Sequence, residues 1–535
     1  MNVLFQRAGA RQLAVLLACL VFGAALSVAM GQDTFWDTKN YHLYNAWAFL
    51  HDRYASDITV AGMQSYFNPL PDVPYFLLAH GPLSTWPRTL AAIQGLWFGV
   101  LMFVVLRIAA QLAQLQQRRF GMADVCAALI GVTGTMAVSQ VGSTTNEIPL
   151  AVLLLLGFYL LLSLLSPSAS RPVLRALLAG LCCGLAAGFK PTAVVYPPAM
   201  ALALLAALDW RSRRAWTAAV VYTAGVAIAF VLAYGGWAWH LYQVTGNPIF
   251  PMFNQVFQSP LTAAIGGTDG QFRPHSLGQW LFYPFYWVVK QRNLVTEPVF
   301  ADPRYALAML AVLAIAVAKW IRARRTPDPA LRLLVIFVAI SYLLWMALFS
   351  ILRYAIPIEA LTGLLVLAAA HAWWPQQWQA PTRIAKGCLL GLLVLILATT
   401  TYPNWWRGGY SAHVVETDIA PLEPHSLVVL AGSPVAYLAP WFPQADDLQF
   451  VGLTWFTRRS QGYGLWNLTQ QRLNNHAGPM YVVRRDDAAA ELALLQELLP
   501  QRHMTDCHPI QSNLETGRGG KDHSLGLSLC KLIHD

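Results

Sequence analysis

Charge is scarce in this chain: Asp, Glu, Lys and Arg make up 12% of its 535 residues, against 56% hydrophobic. A soluble domain carries about twice that charged fraction, so water is excluded as the solvent of much of the surface. Cysteine is also sparse, at seven residues. There is no phosphate-cradling glycine loop, no zinc-ligand cluster and no nucleophilic triad signature. These absences leave no soluble site for a nucleotide-activated substrate. Internal repeats and low-complexity tracts are missing too.

What the chain does contain is apolar runs of about 16 to 24 residues, each able to cross a hydrocarbon core of roughly 30 Å. Spans are predicted near 12–30, 89–110, 122–141, 148–165, 173–188, 192–208, 215–234, 304–320, 331–350, 355–372 and 384–401. The sequence thus reads as an all-α polytopic membrane module of about eleven helices. The first run, Leu13 to Met30, follows Arg7 and Arg11 like a secretory signal, but it is long and further spans follow, so it reads as an uncleaved anchor.

With the N-terminus in the cytoplasm, the inside segments hold Arg7 and Arg11; Arg118 and Arg119; Arg171 and Arg175; Arg211, Arg213 and Arg214; Arg322, Arg324 and Arg325; and Arg383 and Lys386. Every inside segment is then basic, as the positive-inside rule requires. The net charge of +10 is a topology signal, and nucleic acid is not an expected partner. This register needs Asp72 to His80, flanked by Pro71 and Pro82, to lie on the outer side without crossing. It is too short to span.

Three segments then fall outside: 31–88, about 235–303, and everything after Thr401. The first two are rich in Trp, Tyr, Pro, Asn and His, residues suited to a membrane interface. Gly246 to Asn254, with Pro248 and Pro251, reads as a rigid boundary turn. The tail, 402–535, reads as a small periplasmic α/β domain, with strands at Leu427 to Leu430 and Met480 to Val483 and a helix over Asp487 to Leu499. It holds Cys507 and Cys530; the other five cysteines lie in predicted spans. An oxidising compartment permits a disulfide between these two, and two unpaired thiols is the alternative.

Chemistry is expected at the outer ends of the spans. Just beyond the first span come Asp33 and Asp37. Tyr41, Tyr44, Ala48 and Phe49 then share one helical face, with Asp37 near the helix start as a possible cap. Glu147 sits on the next outer loop, in Ser143-Thr144-Thr145-Asn146-Glu147. Arg353 and Glu359 lie near the outer end of a later span, and Lys190, Arg273, Lys290 and Arg292 are further outer cations.

An acid just past the first span, with Tyr four positions on, resembles the Asp-Glu-x-x-Tyr pattern of GT-C glycosyltransferases. Asp37 and Tyr41 match it; Thr38 stands where the second acid is usual. The span number, the amphipathic first outer loop and the C-terminal domain are similar to bacterial members such as the aminoarabinose and protein mannosyl transferases. The resemblance implies a bacterial inner-membrane enzyme that moves a sugar from a polyprenyl-phosphate donor to a lipid, glycan or protein acceptor, inverting the anomeric centre. It implies catalytic roles for Asp37, with Asp33 as the alternative base, and for Glu147. It implies substrate contacts from Tyr41, His42, Lys190 and Arg353. Metal use stays open; a divalent cation, if used, would fall to Asp37 and Glu147. A transporter or lipid flippase is the rival reading, and it would place ionisable groups inside the spans. A non-catalytic scaffold is the third.

Overall fold

The computed structural model describes residues 2–166, 170–266, 270–321, 328–373, 383–515 and 526–534, the side chains of 2–8 and 383–386 excepted. Of the basic loop residues, Arg322, Arg324 and Arg325 lie outside the described residues, as do the side chains of Arg7, Arg383 and Lys386.

The chain is a multi-pass membrane protein. Among the described residues six helices are long and apolar enough to cross a bilayer: Gly9–Met30, Pro87–Leu115, Pro172–Phe189, Arg213–Thr245, Arg304–Ile321 and Pro329–Leu348. A seventh is made by Leu352–Glu359 with Thr362–Trp373 if that pair, bent by 41°, is one span. Shorter apolar helices occupy Met122–Val132, Glu147–Ser163, Pro191–Ala207 and Gly387–Thr399. Without a hydrophobic drive between helices in lipid, close backbone approach has to hold them together. The first span uses it: a Cβ on Gly23 would meet the Gly95 carbonyl oxygen at 2.4 Å and the Gly99 nitrogen at 2.7 Å.

Two spans that the sequence reads as continuous are broken, and one residue lies beside both breaks. The segment 122–141 is helical only to Val132, then restarts as Thr135–Ser139. Glu359 lies against the break. Its carboxylate accepts the backbone N–H of Ala137 (2.8 Å) and of Met136 (3.3 Å), and the Tyr305 hydroxyl donates to it at 3.2 Å. A Cβ at Gly134 would come within 1.9 Å of that carboxyl group. The bend in 355–372 follows directly after Glu359. Asp302 takes the N–H of Thr135 (3.1 Å) and of Arg304 (3.0 Å) and pairs with the Arg304 guanidinium. All three ionisable residues are 0% exposed. The helical region therefore buries more charge than the sequence suggests, and that charge fastens helix ends.

The tail carries a five-stranded sheet in the order Gln449–Leu453, Leu427–Ala431, Met480–Arg485, Leu527–His534, Arg502–Ile510. The first three strands run parallel, and the last two are antiparallel to their neighbours. Leu427–Ala431 is buried at every position, as a central parallel strand is. The expected helix starts later, at Ala489, because Asp487 turns back to pair with Arg485 at 2.9 Å. Cys507 and Cys530 are joined in a disulfide between neighbouring strands, their Cα atoms 4.0 Å apart.

The sheet does not pack alone. Tyr41, Trp47, Val60 and Phe76 of the first outer loop share one core with Val428, Phe450 and Val483. Ile58 bridges the edge strand, donating its N–H to the Phe450 carbonyl and accepting that of Gly452, each at 2.9 Å. Gln32–Asp33 pairs antiparallel with Arg407–Gly408. The loop and the tail are one packed layer over one end of the helices.

Candidate functional site

Four segments distant in sequence converge beneath that layer. The first is the run after the initial span, where Asp37 precedes a π-helical turn over Thr38–His42 that leads into the helix Leu43–Leu50. Such turns are rare and recur at functional sites. Asp37 has helical dihedrals and makes no side-chain cap bond, so its carboxylate is not spent on capping. Instead Oδ2 accepts from Arg353 Nη1 (2.9 Å) and from the Tyr41 hydroxyl (3.3 Å). Oδ1 has no partner among the described residues.

Arg353 is raised to this point by the 3₁₀ turn Leu352–Ala355 that starts the bent pair. Its Nε stands 3.6 Å from Glu147 Oε1, so the guanidinium lies between the two acids. Phe35 and Tyr354 flank it, with ring centroids 5.6 and 5.5 Å from Cζ. Glu147 opens its helix after Asn146, which has a left-handed φ of 66°. Lys190, at the C-terminal end of Pro172–Phe189, donates to Glu147 Oε1 (2.6 Å) and to the Thr145 carbonyl (2.9 Å). Its ammonium also faces the Tyr354 ring at 5.4 Å.

The site thus holds two acids and two cations. Asp37 and Glu147 are 5% and 4% exposed, while the side chains of Arg353 and Lys190 keep 17%. The cations are the open face of the cluster. Each retains a donor: Arg353 Nη2 has no protein partner among the described residues, and Lys190 has used two of its three N–H bonds. That combination suits a phosphate oxygen. A divalent ion between the acids fits poorly, because Arg353 already occupies that position. Among the described residues no group of three His, Cys, Asp or Glu side chains could hold a metal.

Asp33, the alternative base, has a different environment. Oδ1 accepts the N–H of Phe35 (3.0 Å), and Oδ2 accepts from the Thr38 hydroxyl (2.8 Å), the Thr144 N–H (2.9 Å) and the Thr144 hydroxyl (3.1 Å). It ties the first outer loop to the second and has little room for an incoming proton. Thr38 therefore joins Asp33 to Thr144. Tyr41 is fully buried, and desolvation followed by the charge of Asp37 pushes its phenol well above its ordinary pKa. It is a donor at any working pH.

His42 is present but turned elsewhere. Its Nδ1 pairs with Asp72 Oδ1 at 2.7 Å, and the same oxygen accepts from Asn146 Nδ2 at 2.7 Å. Asp72 was not singled out from sequence; an acid inside an apolar, proline-flanked stretch was the available signal. Arg273 donates to the Leu348 carbonyl at 3.2 Å, and Lys290 and Arg292 are exposed. These three are not gathered at the cluster.

Compared with solved structures, the chain matches ArnT from Cupriavidus metallidurans bound to undecaprenyl phosphate. The TM-score is 0.54 and the identity 14%, over 98% of this chain and 97% of the other. It also matches the arabinofuranosyltransferase AftD from Mycobacteria, with a TM-score of 0.52 and 15% identity, covering 97% of this chain and 40% of that one. The chain has an ArnT-like fold. No protein-family model matches it, and no curated protein sequence does. At such identities the shared fold carries architecture alone, and the chemistry rests on Asp37, Glu147, Lys190 and Arg353 themselves.

Proposed function

We propose that the chain is an inverting glycosyltransferase that moves a sugar from a polyprenyl-phosphate carrier to an acceptor hydroxyl on the periplasmic side of a bacterial inner membrane. The observation that carries this reading is the Asp37 carboxylate, held on one oxygen by Arg353 and Tyr41 with the other lacking a partner among the described residues, beside two cations that each keep a donor. In the reaction the acceptor hydroxyl gives its proton to Asp37 Oδ1 as its oxygen attacks the anomeric carbon. The bond from that carbon to the phosphate oxygen breaks, and polyprenyl phosphate leaves with the bonding pair. Arg353 and Lys190 stabilise the phosphate charge as it grows. Glu147 keeps both cations in place. A single displacement inverts the centre. The GT-C fold, shared with a structure that binds undecaprenyl phosphate, supports the choice of donor.

Binding of undecaprenyl phosphate to purified protein tests the cation roles. Arg353→Ala removes charge-assisted hydrogen bonds and is expected to weaken binding about 10- to 100-fold. An unchanged dissociation constant would remove Arg353 from the donor site.

Eleven crossings, with the N-terminus cytoplasmic, are the topology that goes with this reading. Asp37, Glu147, Lys190 and Arg353 meet at one end of the helices, whereas Arg118 with Asp124, Arg175 with Ser163 and Arg214 with the Leu164 carbonyl meet at helix ends in the loops read as inside. The disulfide provides a check. In intact cells Cys507 and Cys530 should resist maleimide until a reductant is added; ready labelling of both before reduction would put the tail in a reducing compartment. A transporter would need ionisable groups lining a path through the spans, whereas the buried Asp302 and Arg304 pair with each other and Glu359 is bonded to backbone and to Tyr305.

A further inference from the structure

A second cleft lies away from the acids, where the first outer loop meets the tail. It has a volume of about 400 Å³, within the range of small-molecule sites. Its wall is the last turn of the helix Gly464–Asn474 and the residues just after it, facing the start of the edge strand and Ile58. Gln471 and Asn475 project here, and neither side-chain amide has a hydrogen-bond partner among the described residues. Arg472 lies between them and is committed: it donates to the carbonyls of Ser56 and Ala55 (3.1 Å to the latter) and to Gln449 Oε1 (3.2 Å). Ile58, Leu468 and Ala477 supply apolar surface.

We propose that this cleft binds a neutral carbohydrate chain. Free amides offer a donor and an acceptor side by side, which matches a sugar hydroxyl that must do both. Apolar carbons beside them suit the C–H face of a pyranose or furanose ring. An anionic ligand would meet a single cation, Arg472, three of whose five N–H donors already serve Ser56, Ala55 and Gln449. A metal or cationic ligand lacks an acid, because no carboxylate lines the cleft. Burial lowers the pKa of His476 below the ordinary histidine value, and Arg502 and Arg472 add to this against a backbone hydrogen bond at Pro479. An extended peptide adding to the sheet is blocked, because Ile58 already bonds the edge strand at Phe450 and Gly452. Calling the carbohydrate an acceptor rests on the transferase reading; the binding itself does not.

The test is saturation-transfer NMR on the full chain in nanodiscs, with mannotriose, maltotriose and arabinotriose as probes. At least one should receive saturation. Asn475→Leu and Gln471→Leu, both at exposed positions, should weaken that binding about fivefold or more, the range for losing one or two neutral hydrogen bonds. Asn475→Asp keeps the shape and should also weaken it. The proposal is overturned if no trisaccharide binds, if all three variants bind as the parent does, or if only an anionic sugar or an unstructured peptide responds. Trisaccharide binding without any transfer from a polyprenyl-phosphate sugar would keep the cleft and remove the transferase reading. Transfer without trisaccharide binding would do the reverse.

Discussion

Asp37→Asn is expected to lower transfer by about 10²-fold or more while undecaprenyl phosphate binding stays near the parent value. The amide preserves shape and can still accept from Arg353 and Tyr41 through its oxygen, but its nitrogen has no lone pair to take the hydroxyl proton. A general base contributes roughly 10² to 10⁴ to rate, so the loss should appear in kcat rather than in donor affinity. Asp33→Asn is the control, because it disturbs the tie to Thr144 and is expected to reduce stability along with activity. Full transfer by Asp37→Asn, measured with a polyprenyl-phosphate sugar the parent accepts, would falsify the assignment of the base.

The second large effect is expected in the helices. Asp302→Ala leaves the Arg304 guanidinium at 0% exposure with its partner gone. Breaking a buried ion pair from one side costs about 3–5 kcal/mol, and the Thr135 N–H is orphaned as well. Thermal unfolding in detergent should fall well below that of the parent. The double change Asp302→Ala with Arg304→Met, which removes both charges, should recover part of the loss. A double variant no more stable than the single one would show that the charge pair is not the source.

The sequence located the acids and cations of the site better than their partners. In lipid, backbone and charge must be satisfied within the protein, so Asp37, Glu147, Lys190 and Arg353 stand out as polar residues at span ends. Their pairing was not legible: Lys190 joins Glu147 across 43 positions, and Arg353 joins Asp37 across 316. The same limit hid Asp72, whose partners are 30 and 74 residues away. Glu359 is legible as an outer acid, but a carboxylate that caps the start of one helix and stands just before the bend in another acts through contacts no local pattern records. In the tail, Leu427 to Leu430 and Met480 to Val483 are apolar runs and are readable as strands. Arg502–Ile510 was not, because as an edge strand with mostly exposed side chains it has no alternating pattern to find.

The union of the first outer loop with the tail sets a schedule for biosynthesis. Thr59 bonds the carbonyl of Gly452 across 393 residues of chain, and at about 5–20 residues per second the ribosome needs roughly 20 to 80 seconds to bridge that interval. During that time the segment bearing Asp37 waits without the strands that complete its core. Activity should therefore arrive only when the last strands do, and a nascent chain cut short before them should be inert and open to proteases. On the transferase reading, an enzyme whose base precedes by some four hundred residues the strands that complete its core cannot act on a lipid substrate half-made.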